Sequence, residues 1–134
     1  MKLIDKLAWI EINNRTILST RSFGKDKYYL PGGKREAGES DEQALLREIK
    51  EELNVDLDST TLKIVGIFEA HAHGHAEGVF VKMTCYTASY TGTGQLLPQS
   101  EIEEFIWLTH ADKDKISDAD KLIFDYLKEN NLID

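Results

Sequence analysis

Two features of the sequence predict an α/β fold, with a mixed β-sheet lying between helices. Short runs of alternating apolar and polar residues surround one long amphipathic helix, and a second helix closes the chain. No repeat period, low-complexity tract or Pro/Ser-rich linker interrupts the 134 residues, so residues 1–134 are expected to form one domain.

Residues 7–12 are strand-like, and Asn13-Asn14 is a turn signal before a second apolar run at 16–20, which predicts a hairpin. Residues 22–27 carry Gly24 and read as a loop. Tyr28-Tyr29-Leu30 then runs into Pro31-Gly32-Gly33, which ends any strand. Ser40 followed three residues later by Gln43 is a capping box, and with acidic residues in the first turn it predicts a helix over 41–53. Asn54, which tolerates the left-handed conformation, marks the end of that helix. Strands are expected at 62–70 and 78–90, the second with Val79, Val81, Met83 and Cys85 on one face. Gly92, Gly94 and Pro98 punctuate the following loop. A short strand at 105–108 precedes a helix at 118–130, with Ser117 as N-cap and Leu122, Ile123, Tyr126 and Leu127 as its apolar stripe.

Twenty-four Asp and Glu against 16 Lys and Arg leave a formal charge of -8. That field repels nucleic acid polymers and anionic membrane surfaces, so a phosphate-bearing ligand must be met locally by basic groups or a metal ion. The single Cys85 cannot close an internal disulfide, which points to a reducing, cytoplasmic setting. The apolar start of the chain is broken by Asp5, Lys6 and Glu11 and lacks a small-residue cleavage site, so no signal peptide is expected. No apolar run approaches the roughly 20 residues that span a bilayer.

On the first helix, at about 100° per residue, Glu48, Glu51 and Glu52 share one arc, while Leu45, Leu46, Ile49 and Leu53 form a separate apolar stripe that docks on a core. The three carboxylates are expected to converge on one small volume. Like charges at this spacing repel and raise at least one pKa, and a hard divalent cation with oxygen ligands removes the conflict. Taken alone, the three acids read more readily as a solvated helix face.

What precedes them changes that reading. Gly33, five residues, Glu39, seven residues, then Arg47-Glu48-Ile49-Lys50-Glu51-Glu52 and Val55 reproduce the Nudix box, and the chain resembles the Nudix hydrolase family. Leu30-Pro31-Gly32-Gly33-Lys34, Glu36, Gly38 and Ser40 look like the flanks of that box. One position departs, Asn54 standing where the family has glycine, and Asn is the next best residue for a left-handed helix end.

The resemblance implies a Nudix-type α/β/α sandwich and hydrolysis of a nucleoside diphosphate linked to another group, with water attacking one phosphorus of the P–O–P bridge. Mg²⁺, with Mn²⁺ as substitute, would offset charge on the phosphoryl oxygens and orient the water. By the same resemblance Glu51 and Glu52 are the principal metal ligands, the Gly33 carbonyl a further ligand, and Glu48 a metal ligand, the base, or both. Glu39 and Arg47 look like orienting partners, and Glu101, in the acidic cluster with Glu103 and Glu104 ahead of Trp107, completes the catalytic set.

For the substrate, Arg21 and Lys34 are expected on the phosphates and Tyr28 or Phe23 against a base. Asp118 and Asp120 resemble in placement acids that read a base edge in some members, although acids at that point are also ordinary helix N-terminal charge. His71, His73 and His75 alternate as strand ligands of zinc would, but Gly74 breaks the strand and no Cys is near, which favours a solvated strand end or a substrate-mouth contact. The expected substrate is a small-molecule nucleotide, first a nucleoside triphosphate cleaved to monophosphate and pyrophosphate. ADP-ribose or a nucleotide sugar is the alternative, and a non-catalytic nucleotide sensor a more distant one. Family members dimerise in several ways, so a homodimer is compatible with the sequence and no interface is named.

Overall fold

In a computed structural model, residues 2–72, 77–91 and 95–134 are described. Strands β1 (Lys2–Trp9), β2 (Ile12–Asn13), β3 (Thr16–Ser22) and β4 (Gly32–Lys34) lead into helix α1 (Asp41–Leu53). Then follow β5 (Asp56–Leu57), β6 (Lys63–His71), β7 (Val79–Thr87), β8 (Tyr90–Thr91), β9 (Ile102–Leu108) and helix α2 (Asp118–Glu129). A mixed sheet runs β4-β1-β7-β6, with β1 parallel to β7 and antiparallel to β4; a second runs β2-β3-β9, and β5 pairs with β8. No helix among the described residues is long and apolar enough to cross a membrane.

Alternation along β1 builds both halves of the core. Ile4, Ala8 and Ile10 join α2's Ile123, Phe124 and Leu127 on one face, while Leu7 and Trp9 join α1's Leu45, Ile49 and Leu53 on the other. Each helix therefore covers one face, the α/β/α arrangement expected. Val81, Met83 and Cys85 of β7 face the α2 side together, as their alternation required.

Helix α1 has the expected bounds. Ser40 Oγ accepts the Gln43 N–H and Gln43 Oε1 accepts the Ser40 N–H, and Asn54 ends the helix at φ 64°, ψ 23°. Three expectations are corrected. The strand expected at 7–12 begins at Lys2 and ends at Trp9, in the other sheet from β3; only Ile12–Asn13 form the hairpin, turning at Asn14 and Arg15, both at positive φ. The strand expected at 105–108 begins three residues earlier, because β9 pairs with β3 as far as Ser22. On α2 the buried arc runs through Ala119, Asp120, Ile123, Phe124 and Leu127, leaving Leu122 exposed. The histidine run falls mostly outside the description: His71 lies edge-on to Phe80, and His73, Gly74 and His75 are not among the described residues. The same holds for Gly92 and Gly94.

Candidate functional site

A cavity of about 500 Å³ opens where the C-terminal half of α1, β4, the start of α2 and the segment ahead of β9 meet. Glu48 and Glu52, one helical turn apart, line it together with Gly33, Lys34 and Glu101. The apolar stripe of α1 is buried, so the backbone carrying these carboxylates is fixed against the sheet.

Glu52 is only 6% exposed, and its Oε1 accepts the Gly32 N–H at 3.2 Å. Burial, with the charges of Glu48 and Glu101 adding, pushes its carboxyl up to about 9 against the opposing hydrogen bond. Glu48 is also pushed up, mainly by burial, against the pull of Arg47. Glu51 lies apart: its side chain is 54% exposed and stands 3.5 Å from Arg47. The expected convergence of three carboxylates is thus corrected to two in the cleft and one on the rim, because successive residues of a helix diverge by about 100°. No group of three His, Cys, Asp or Glu among the described residues forms a finished cation cage.

Two observations nevertheless fit a hard cation here. The charge of Glu101 helps to raise the carboxyls of both Glu48 and Glu52, Glu48 adds to the rise at Glu52, and all the donor atoms of these groups are oxygen. Gly33 lets the Glu48 carboxyl lie close against its backbone, beside its carbonyl, since a Cβ there would come within 2.5 Å of that carboxyl group.

Arg47 ties the rim together. Its Nε and Nη2 donate to the two oxygens of Glu39 at 2.7 and 2.8 Å, its Nη1 donates to Glu48 at 2.9 Å, and Nη2 reaches the Lys34 carbonyl at 3.2 Å. This fork holds the Glu39 carboxyl down at about 2, with help from the Glu36 N–H. Glu39 thus fixes Arg47, and Arg47 fixes Glu48.

Glu101 reaches the cleft through backbone contacts. The N–H groups of Leu97 and Gln99 donate to the Leu53 and Glu52 carbonyls, satisfying groups that the end of α1 leaves open, and the Phe23 N–H donates to the Glu101 carbonyl. Lys34 lines the cavity. Arg21, Tyr28 and Asp118 are placed elsewhere, which corrects their expected position. Arg21 pairs with Glu103 and Glu104 at 2.8 and 2.9 Å, Tyr28 Oη donates to Glu104 at 2.5 Å, and Asp118 pairs with Lys121 at 3.2 Å. Phe23 is 63% exposed.

Three more residues line the cavity, and two of them, Tyr29 and Lys6, were not assigned by the sequence reading. Tyr29 faces the cavity in place of Tyr28, because neighbours in extended backbone point to opposite sides. Asp120 is buried rather than solvated; its Oδ2 accepts the Leu30 N–H at 3.0 Å, and burial raises its carboxyl to about 6. Lys6 projects from β1, and desolvation lowers its pKa. Its signal was a lone lysine in register with Ile4, Ala8 and Ile10.

A family model described as NUDIX domain matches residues 7–127. Among solved structures, the E. coli ORF135 protein is 24% identical, with a TM-score of 0.71 and coverage of 96% of this chain and 92% of that one. The MutT protein from Methanosarcina mazei Go1 is 18% identical, with a TM-score of 0.76 and coverage of 97% and 96%. A putative nudix hydrolase family member from Chromobacterium violaceum is 23% identical, with a TM-score of 0.72 and coverage of 96% and 78%. At these identities the likeness is one of fold. No curated protein sequence matches the chain.

Proposed function

The chain belongs to the NUDIX domain family, hydrolases of nucleoside diphosphate-linked compounds that generally use divalent metal ions, and from that premise we propose that it is a Mg²⁺-dependent nucleoside triphosphate pyrophosphohydrolase releasing a monophosphate and pyrophosphate. One observation carries this reading: a single cavity joins a cluster of carboxylates at one end to an apolar recess with a few polar groups at the other. Such a cleft suits a ligand that is anionic at one end and aromatic at the other.

In this proposal Glu48, Glu51, Glu52 and the Gly33 carbonyl hold the cation, with Mn²⁺ a substitute. A metal bound there would offset charge on the phosphoryl oxygens and lower the pKa of the attacking water. Glu51, exposed on the rim of the cleft, would complete the set of ligands. Glu48 or Glu101 accepts the proton of the water, and both border the cleft. Arg47 is a positioning residue: its hydrogen bond sets the Glu48 carboxylate, and Glu39 sets Arg47. Lys34 meets the phosphates in a protein whose net charge otherwise repels them.

The test is release of phosphate and pyrophosphate by purified protein with Mg²⁺, against nucleoside triphosphates, ADP-ribose, nucleotide sugars and dinucleoside polyphosphates. Turnover of triphosphates with pyrophosphate as product is the expected result. Preference for ADP-ribose or a nucleotide sugar would replace the substrate class, and binding without cleavage of any panel member would make the protein a nucleotide sensor.

A further inference from the structure

Arg35 stands just past β4, at one of the five positions between Gly33 and Glu39 that the Nudix pattern leaves unspecified. It does not line the cavity, and its guanidinium instead joins three separate segments. Nε donates to Asp5 Oδ2 of β1 at 3.1 Å, Nη1 pairs with Asp41 Oδ1 in the first turn of α1 at 2.6 Å, and Nη1 also donates to the Glu39 carbonyl at 3.4 Å. The Arg35 N–H adds a bond to the Asp5 carbonyl at 3.3 Å. Asp41 is itself fixed from β7, because its Oδ2 accepts the Tyr86 hydroxyl at 2.6 Å. The other oxygen of Asp5, Oδ1, is buried without a hydrogen-bond partner among the described residues, which leaves Oδ2 and Arg35 to hold that carboxylate. A guanidinium presents its donors as a rigid planar fork, so contacts to two acids and a carbonyl fix its position as an ammonium's would not.

Glu39 is where this network meets the site. Residues 35–40 belong to no helix or strand and pass through Gly38 at φ 83°, so their path depends on the side chains that grip them. Arg35 holds the main chain of Glu39, and Arg47 holds its carboxylate through two hydrogen bonds. Arg47 in turn donates to Glu48, which lines the cavity. Contacts therefore run in order from Arg35 through Glu39 and Arg47 to Glu48. Stability alone is a weak reason for the outer end of this sequence. The side chains of Arg35, Asp5 and Asp41 are 25%, 41% and 35% exposed, and ion pairs so open to water contribute little.

Resting on the hydrolase reading above, we propose that Arg35 is a positioning residue for the reaction: by tying the Glu39 main chain to β1 and to the start of α1, it keeps Glu39 and Arg47 where Arg47 can set the Glu48 carboxylate.

The test compares Arg35→Met, Arg47→Lys and the double variant in the full chain. It reads kcat and KM for triphosphate hydrolysis at saturating Mg²⁺ and, without nucleotide, titration of Mn²⁺ alone followed by electron paramagnetic resonance. Arg35→Met should lower kcat about fivefold, leave KM within about twofold and weaken Mn²⁺ binding about threefold. In the Arg47→Lys background the same change should cost less than about twofold in kcat, because the contact it acts through is already gone. Arg35→Lys, able to keep one of the two ion pairs, should fall between Arg35→Met and wild type. Should Arg35→Met fail to fold by thermal melting, Asp5→Asn, which weakens the same grip from β1 and leaves α1 unaltered, carries the same expectations in sign. A lowered melting temperature with kcat and Mn²⁺ binding unchanged would make Arg35 a merely structural residue and overturn the proposal, as would an undiminished loss in the Arg47→Lys background. Triphosphate hydrolysis unmoved by Arg35→Met overturns this inference and leaves the hydrolase reading standing. Mn²⁺ binding weakened by Arg35→Met only while Arg47 is present, in a protein that cleaves nothing, supports the inference and overturns the hydrolase reading.

Discussion

Helices α1 and α2 start alike and serve the cleft from opposite ends. Each is capped by a serine, Ser40 or Ser117, and each carries acids in its first turn. Helix α1 brings Glu48 and Glu52 to the cavity near its C-terminus, where the helix dipole disfavours negative charge, whereas α2 brings Asp120 in its first turn, where the dipole favours it. Yet both buried carboxyls are raised, Glu52 to about 9 and Asp120 to about 6. Desolvation acts with the dipole at Glu52 and outweighs it at Asp120, and the opposing dipole together with the Ser117 hydroxyl is consistent with the smaller rise at Asp120. A carboxylate pushed this far at the end of a helix fits a place for a cation, and one held at the start of a helix with a bare oxygen fits a place for a donor.

Glu52→Gln should break the α1 end most completely. It keeps the shape but removes the charge that would hold a cation, and turnover should fall about 10³-fold in a hydrolysis assay. Unchanged turnover would take Glu52 out of the mechanism. Next in size is Gly33→Ala, whose methyl group would meet the Glu48 carboxyl at 2.5 Å. The obstacle is the far end of a side chain, so turnover should drop about 100-fold with little change in melting temperature. Gly32→Ala should instead disrupt folding, because its φ is 143° and a Cβ would lie 2.0 Å from the Leu7 carbonyl oxygen. Arg47→Lys should cost about tenfold in turnover, by losing the paired hydrogen bonds to Glu39 and loosening Glu48.

The pH dependence of stability sharpens the same contrast. The folded Glu52 carboxyl lies at about 9 against an ordinary 4.5, so the folded state holds a proton that the unfolded chain has released. Its contribution to stability is complete below pH 4.5 and lost as pH rises toward 9. Metal-free protein should melt at lower temperature as pH rises through this window, and Glu52→Gln should flatten the decline. A melting temperature that climbs from pH 5 to pH 9 at the same rate in both proteins would refute the buried, protonated state. The smallest effect is at Asn54, where φ is 64°. Asn54→Gly should stabilise the protein by about 0.5 kcal/mol in chemical denaturation, since glycine adopts this conformation without strain.

The sequence alone determined the local structure of α1 and the family to which the chain belongs. Capping by Ser40, the Asn54 stop and the spacing from Gly33 to Glu52 are all local features, set by hydrogen bonds and torsion preferences a few residues apart. The alternation along β7 and the position of α2 were legible for the same reason. Partners brought together across the chain were decided by tertiary structure. Glu104 captures Arg21 and Tyr28 from more than seventy residues away, and Tyr29 rather than Tyr28 turns inward because one bridge to Thr20 sets the face of an irregular segment. Lys6 became a cavity residue once β1 extended back to Lys2 and paired with both β4 and β7. Asp120 became a buried, half-satisfied carboxylate once the arc from Ala119 to Leu127 packed inward. Burial of a charged group is a property of the assembled layers, and a one-dimensional pattern records only that the residue is polar.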